Sequence, residues 1–174
     1  GPAFLAWIEQ APCPALKPGD MFVMDNLAAF KQPGVRIAIE ACGAELRYLG
    51  VTDDGRLPLE QLDAELASGR VRIAAFAHVS NVLGTINPVA EMVQRVHAAG
   101  AVALVDGAQA VPQLPVDVAA IDADFYAWTG HKALGPTGIG VLHGRSEILE
   151  AMRPFLGGGD MIRRVDFQES TWND

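Results

Sequence analysis

The chain has 174 residues, of which half are hydrophobic and a fifth are charged, and its formal net charge is −8 at pH 7. This composition is typical of a folded domain with a sizeable core, not of a disordered chain. The negative charge argues against a nucleic-acid-binding surface, which needs clustered cations to neutralise phosphates. No apolar run is long enough for a transmembrane helix, and the start lacks the features of a signal peptide.

Four residues that often mark sites are expected to have no functional role here. Cys13 and Cys42 do not form a disulfide framework or a metal motif, so both are interpreted as packing or loop residues. A reducing, cytoplasmic setting is the default for such cysteine usage. His97 and His143 have no acidic partner nearby in the sequence and are assigned no role.

Apolar runs alternate with helix-length amphipathic segments along the chain. Asn87 is predicted to cap a helix, and Gly43 and Gly69 stand where a left-handed residue ends one. The alternation predicts βαβ units, and continuous apolar strands predict a mostly parallel sheet covered on both faces, a three-layer α/β/α fold. The predicted strands are 20–24, 45–51, 72–77, 101–105, 125–128 and 138–142, and the predicted helices are 33–42, 58–67, 88–99 and 146–152.

Polar residues follow three of the predicted strands. In open α/β sheets, ligands bind beyond the carboxyl ends of the strands, so these residues are expected to converge on one site. The three groups are His78, Ser80 and Asn81; Asp106 and Gln109; and Thr129, His131 and Lys132.

Lys132 and Asp106 are the candidates for the central chemistry. A lysine between Gly130 and Gly135 that follows an apolar strand can be partly desolvated, which favours an amine nucleophile; the alternative is a surface lysine in a loop. An aspartate at a buried strand end can keep a pyridinium nitrogen protonated; the alternative is a turn or helix-capping acid. Gln109, three residues later, could reach a phenolic oxygen.

The residues around this lysine are suited to an anion. Thr129 and His131 flank Gly130, and a hydroxyl and an imidazole beside exposed backbone N–H groups make a reasonable phosphate cradle. The glycine-rich segment 135–140 is not a dinucleotide fingerprint, because its spacing is wrong and a strand follows it. We interpret it as a turn into a hairpin-like strand.

Several segments, in order, resemble successive motifs of the class V aminotransferase-fold enzymes, and they are most similar to the SUF-type cysteine desulfurases. The similarity runs over roughly residues 16–170, and the block from Asp106 to Lys132 is highly specific. The segments are 78–85 (HVSNVLGT), 105–109 (VDGAQ), 129–140 (TGHKALGPTGIG) and 155–162 (FLGGGDMI).

The resemblance implies a role for each residue near a pyridoxal phosphate ring. Lys132 would carry the cofactor as a Schiff base, and Asp106 would pair with its pyridine nitrogen. Gln109 would contact the phenolic oxygen, and Asn81 would lie near the substrate carboxylate or the ring oxygen. No metal ligand is expected.

The phosphate would be bound by Thr129, where relatives usually have serine, and by His131. Two family features are missing from this region. The family stacks a histidine on the ring, but Ala28 or Ala29 occupies the expected place, with Phe30 as a conceivable substitute. The threonine-containing phosphate loop that precedes this region in relatives is not in the chain.

The resemblance also implies an activity and partners. The family converts L-cysteine to L-alanine and passes the sulfur to an enzyme cysteine, for iron–sulfur cluster assembly; a homodimer and a sulfur-acceptor protein are expected. Residues 1–156 would form part of the large cofactor domain of fold-type I enzymes, and 157–174 a loop leading to an absent C-terminal region. Because the persulfide cysteine and the carboxylate-binding arginine belong to that region, activity would be impaired. The alternatives are another class V aminotransferase, epimerase or lyase, or a non-catalytic binding module.

Overall fold

The structure is a computed structural model that describes residues 8, 12–25, 33–152, 162–165 and 170–172. Six of its strands form one sheet, and two more form a separate antiparallel pair. In chain order the strands are β1 (Met21–Met24), β2 (Glu45–Tyr48), β3 (Val71–Ala77), β4 (Val102–Asp106), β5 (Phe125–Thr129), β6 (Gly140–Gly144), β7 (Ile162–Val165) and β8 (Ser170–Trp172).

The large sheet has the strand order β2-β1-β3-β4-β5-β6. The first five strands are parallel, and β6 is antiparallel to β5. The chain steps from β1 to β2 in one direction and then crosses to β3 in the other, so the strand order reverses between β1 and β3. The predicted mostly parallel sheet and the hairpin-like strand after the glycine-rich turn are both confirmed.

Helices cover both faces of the sheet, which confirms the predicted three-layer fold. They are α1 (Pro12–Ala15), α2 (Pro33–Ala41), α3 (Leu59–Leu66), α4 (Val89–Ala98), α5 (Val118–Ile121) and α6 (Ser146–Ala151). One core cluster joins α3, α4 and α5 to one sheet face, and a second joins α1 and α2, with side chains of the α6 region, to the other. Within the described ranges, no helix combines the length and the apolarity needed to cross a bilayer.

Helix α4 shows how the sequence pattern produces this packing. Val89, Met92, Val93 and Val96 are buried, and their i, i+3, i+4, i+7 spacing places them on one face. The predicted Asn87 cap is wrong, because no side-chain hydrogen bond caps this helix. The buried Asn87 amide instead donates to the Ala77 carbonyl at 2.8 Å, where it satisfies a carbonyl at the end of β3.

The tail differs from its prediction as a loop. Strands β7 and β8 pair in antiparallel register, Ile162 opposite Trp172 and Val165 opposite Ser170. Strands of three or four residues are too short to produce a recognisable alternation in the sequence. The predicted boundary at residue 156 lies outside the described residues.

The expectation for the cysteines is also wrong. Cys13 in α1 and Cys42 just after α2 form a disulfide, with their Cα atoms 5.7 Å apart. Their 29-residue separation carried no geometric information, and packing of α1 beside the end of α2 brings them together. Because disulfides are rare in reducing compartments, the pairing removes the cysteine argument for a cytoplasmic setting, which stays a prediction.

Candidate functional site

The three predicted groups of polar residues follow neighbouring strands. Asp106, at the end of β4, is in register with Ala77 at the end of β3 and with Ala127 in β5. Because these strands are parallel, their carboxyl ends meet along one side of the sheet, which we call the carboxyl edge. The structure therefore brings the three groups to one edge, as predicted.

Asp106 and Lys132 interact electrostatically at the carboxyl edge. Asp106 is half-buried, and its Oδ1 accepts the Ala108 backbone N–H at 2.8 Å. Burial raises the pKa of the Asp106 carboxyl, while the Ala108 hydrogen bond and the positive charge of Lys132 oppose that rise. The edge thus holds a carboxylate with a raised proton affinity within the field of a primary amine.

Asn81 and Gln109 meet although they lie in different loops. The Gln109 side-chain amide donates from Nε2 to Asn81 Oδ1, which joins the segment after β4 to the segment after β3. Each side chain keeps a second polar atom, Asn81 Nδ2 and Gln109 Oε1. One amide donor and one amide acceptor therefore stand together beside the carboxylate's strand.

A tight turn positions Lys132. Residues Gly130–Lys132 form a single 3₁₀ turn, and Gly135 donates its backbone N–H to the Gly130 carbonyl at 2.8 Å. A Cβ at Gly135 would lie 3.0 Å from that carbonyl oxygen, so the close approach favours glycine. Thr129 lies just ahead of the turn, and its Oγ1 is hydrogen-bonded at 2.8 Å to Nδ1 of His131 within the turn. The predicted phosphate-binding pair is thus together in space.

Tyr126 is a residue of this edge that the sequence analysis missed. It is fully buried in β5, and its hydroxyl lies 2.8 Å from Nδ1 of His78. Burial and the nearby Asp106 charge raise the pKa of Tyr126 to about 12, and burial lowers the pKa of His78. The available signal was a tyrosine inside an apolar run, since a buried phenol needs a hydrogen-bond partner.

A cavity of about 270 Å³ opens at the carboxyl edge near the reversal of strand order between β1 and β3. Its wall is largely apolar, and Asp25, Ser80 and Asn87 supply polar groups. Asp25 is buried, and its Oδ2 accepts the Ala77 backbone N–H at 2.6 Å. Ala28, Ala29 and Phe30, which concern the ring-stacking position, lie outside the described residues.

Comparison with protein families and curated proteins gives consistent matches. The sequence model of the family "Aminotransferase class-V" matches residues 5–174. A cysteine desulfurase of Haloferax volcanii is 49% identical over 161 residues, which cover 91% of this chain and 37% of that protein. A cysteine desulfurase of Dickeya dadantii is 51% identical over 159 residues, which cover 90% of this chain and 38% of that protein.

Solved structures agree in fold. The cysteine desulfurase CsdA of Escherichia coli superposes with a TM-score of 0.87 at 39% identity, covering 99% of this chain and 43% of that one. The apo cysteine desulfurase of Thermococcus onnurineus NA1 superposes with a TM-score of 0.86 at 30% identity, covering 98% and 42%. The chain therefore spans about two-fifths of the length of these relatives.

Proposed function

The chain belongs to the aminotransferase class-V family, and we propose that it is the cofactor-binding part of a cysteine desulfurase. Pyridoxal phosphate is the cofactor of this family. The observation that carries the proposal is the convergence of Asp106 and Lys132 on the carboxyl edge: burial raises the pKa of the Asp106 carboxyl, and the positive charge of Lys132 opposes that rise. The identity to curated cysteine desulfurases, 49% and 51%, supports the choice of reaction within the family.

The residues of the edge fit the chemical groups of pyridoxal phosphate. Lys132 supplies the amine that its aldehyde needs, and Asp106 supplies a carboxylate that holds a proton on the ring nitrogen. Its raised pKa suits this role, because a carboxylate with a high proton affinity shares a proton strongly. When bound, the cofactor serves as an electron sink for the carbon that bears the substrate amine.

The polar pairs provide for the remaining groups. Gln109 would offer an amide atom to the phenolic oxygen and Asn81 to the substrate carboxylate or the ring oxygen, and their mutual hydrogen bond orients both side chains. Thr129 and His131 offer a hydroxyl and an imidazole to the phosphate. Gly130 and Gly135 allow the close turn that brings these donors next to Lys132.

The substrate in this proposal is L-cysteine, and its sulfur passes to a thiol, leaving L-alanine. Cys13 and Cys42 are unsuited to accept the sulfur because they are bonded to each other. We therefore expect little or no sulfur release by these 174 residues alone. Sulfur transfer to an acceptor protein for iron–sulfur cluster assembly, and action in the cytoplasm, are further parts of the proposal.

A homodimer is also part of the proposal. Apolar side chains are exposed next to the candidate site: Val82 and Leu83 in the loop that follows Asn81, and Leu134 beyond Lys132. Exposed apolar side chains that cluster near a site are typical of interaction surfaces. Sedimentation of the chain over a range of concentrations measures whether it self-associates.

Trapping of the lysine tests the proposed cofactor site. Pyridoxal phosphate mixed with the chain should give a visible absorbance, and borohydride should then fix the cofactor on the peptide that contains Lys132. Lys132→Ala should lose both signals. The matched control is Lys17→Ala. This change removes an exposed lysine that follows α1, and the variant should behave like the unsubstituted chain.

Two results would contradict the proposal. Equal colour and equal trapping in Lys132→Ala would show that another amine reacts. Absence of any adduct in the unsubstituted chain would remove the cofactor-binding assignment itself. Alanine formed from cysteine measures the reaction, and an added thiol reductant releases the persulfide sulfur as sulfide. Robust turnover by this chain would refute the expectation that the sulfur-accepting group lies elsewhere.

A further inference from the structure

We propose that Tyr126 and His78 are positioning residues for the acid of the site: their hydrogen bond, with Nδ1 of the imidazole as the acceptor, braces the Asp106–Gly107 backbone that both residues contact. The inference rests on the proposed function, because it concerns how the chain prepares Asp106 for a ring nitrogen. Neither residue needs to touch the cofactor in this role.

The phenol of Tyr126 is held in one place by packing. The residue is fully buried, and its ring lies where a Cβ at Gly107 would overlap it. Gly107 directly follows Asp106 and donates its backbone N–H to the Ala127 carbonyl at 2.7 Å. The tyrosine therefore packs against the backbone that carries the carboxylate, and glycine at 107 permits the contact.

His78 is tied to the same backbone from the other side. Its backbone N–H donates to the Asp106 carbonyl at 2.9 Å, and its own carbonyl accepts the Asn87 backbone N–H at 2.8 Å. Its ring meets the Tyr126 ring edge-on, at an interplanar angle of 89° and a hydroxyl-to-Nδ1 distance of 2.8 Å. The side-chain bond thus closes a loop of contacts around Asp106 and Gly107.

The protonation states give the hydrogen bond a direction. A pKa of about 12 keeps Tyr126 a phenol at neutral pH, and burial lowers the pKa of His78, which favours the neutral ring. The phenol O–H then donates to Nδ1, and the imidazole proton sits on Nε2. The nearest charged group is Asp106, which interacts electrostatically with Tyr126 and in turn with Lys132. On the other side, the carboxylate of Asp25 accepts the backbone N–H of Ala77, the residue before His78.

An uncharged imidazole matters for the acid. A protonated His78 would place a cation 2.8 Å from the Tyr126 hydroxyl, a group that already lies within the field of Asp106, and that cation would oppose protonation of the ring nitrogen. By occupying Nδ1, the tyrosine hydroxyl disfavours that protonation. The pair therefore keeps the negative charge of Asp106 available to the ring nitrogen.

Nitrogen NMR of the unloaded chain gives the first test. In the unsubstituted chain, the His78 ring should be the Nε2–H tautomer with a hydrogen-bonded Nδ1. In Tyr126→Phe, which removes one oxygen and keeps the ring, the imidazole midpoint should rise by about half to one pH unit, the equivalent of one ordinary hydrogen bond. The control is Tyr48→Phe, at the chain's other tyrosine, which should leave His78 unchanged.

The pH profile of the Lys132 adduct gives the second test. The pH at which the adduct absorbance is half-changed should shift in Tyr126→Phe and in His78→Leu. In Tyr48→Phe this pH should equal that of the unsubstituted chain. His78→Asn should restore most of the profile, because its Oδ1 takes the place of Nδ1 as the acceptor for the phenol. A purely structural role would lower the unfolding midpoint of the variants without moving this profile.

The outcomes separate the two proposals. No adduct in the unsubstituted chain overturns both of them. An adduct whose pH profile is the same in Tyr126→Phe, His78→Leu and the unsubstituted chain overturns the positioning role alone. If Tyr126→Phe does not fold, the comparison of His78→Asn with His78→Leu decides: equal profiles overturn the role, and rescue by asparagine alone supports it.

Discussion

Asp106 and Asp124 are carboxylates at opposite edges of the same sheet, and their surroundings differ. Asp124 directly precedes β5 and is buried. Its Oδ2 accepts the Ala103 backbone N–H at 2.7 Å and contacts His97 Nε2 at 2.8 Å, while Arg145 lies 3.3 Å from Oδ1. Asp106, among the described residues, accepts one backbone N–H. A saturated carboxylate serves the fold, whereas an under-bonded one is available to a ligand.

Other cross-links lie at the same edge as Asp124, which we call the amino edge. Arg72 pairs with Asp20 at 2.9 Å, just before β1, and Arg70 pairs with Glu45 at 2.8 Å, at the start of β2. The Cys13–Cys42 disulfide stands nearby, since Gly43 receives the Gly19 backbone N–H. The amino edge therefore holds elements together, and the carboxyl edge holds the chemistry.

The disulfide should have the largest effect on stability. Its 29-residue separation corresponds to about 3–4 kcal/mol in the chain-entropy account of cross-links. Denaturant unfolding with and without reductant measures the loss. The Cys13→Ser, Cys42→Ser double variant should unfold at the same denaturant concentration as the reduced parent chain, and reductant should not change that midpoint. Borohydride should still trap pyridoxal phosphate on Lys132 of this variant in native buffer. An unfolding midpoint that reductant leaves unchanged in the parent chain would show that the disulfide does not stabilise the amino edge.

Asp124→Asn should have the next largest effect. The change removes the charge that His97 and Arg145 share, and we expect a loss of about 2–3 kcal/mol in the free energy of unfolding. The control is Asp122→Asn, because Asp122 also pairs with Arg145 but is 66% exposed, so its loss should stay below about 1 kcal/mol. Equal losses in the two variants would contradict the distinction between buried and exposed partners.

Asp106→Asn should have the smallest effect on stability and the opposite sign. Burial raises the pKa of Asp106 in the folded chain, so ionisation costs more in the folded than in the unfolded state. The stability tied to this group is therefore present at low pH and lost as the pH rises through its folded pKa. Without cofactor, the variant and the parent chain should have the same free energy of unfolding at acidic pH, and the variant should have the higher one at neutral pH. Urea unfolding at the two pH values measures this.

Asp106→Asn should also bind the cofactor more weakly than the parent chain. Without a carboxylate for the ring nitrogen, binding of pyridoxal phosphate should weaken about tenfold to a hundredfold, the value of a charge-assisted hydrogen bond. Titration of the adduct absorbance measures this. If Asp106→Asn instead destabilised the chain as much as Asp124→Asn and kept full affinity, the contrast between the two edges would be wrong.

The sequence predicted the part of the site that local pattern encodes. Apolar strands followed by polar residues place Asp106, Thr129, His131 and Lys132 at the carboxyl edge, because parallel strands end on the same side of a sheet. Tyr126 was missed because it belongs to an apolar run, and its partner His78 lies 48 residues away. His97 was given no role because Asp124 lies 27 residues further along.

What the sequence determined by itself was the alternation of strands and helices, the layers they form and the ends at which glycine takes a left-handed conformation, such as Gly43 at φ 79°. These features depend on residues within one turn or one strand of each other. The tertiary structure alone decided which distant side chains meet: the two cysteines, His97 with Asp124, and Tyr126 with His78. Such pairs depend on how whole elements pack, and no local periodicity encodes that packing.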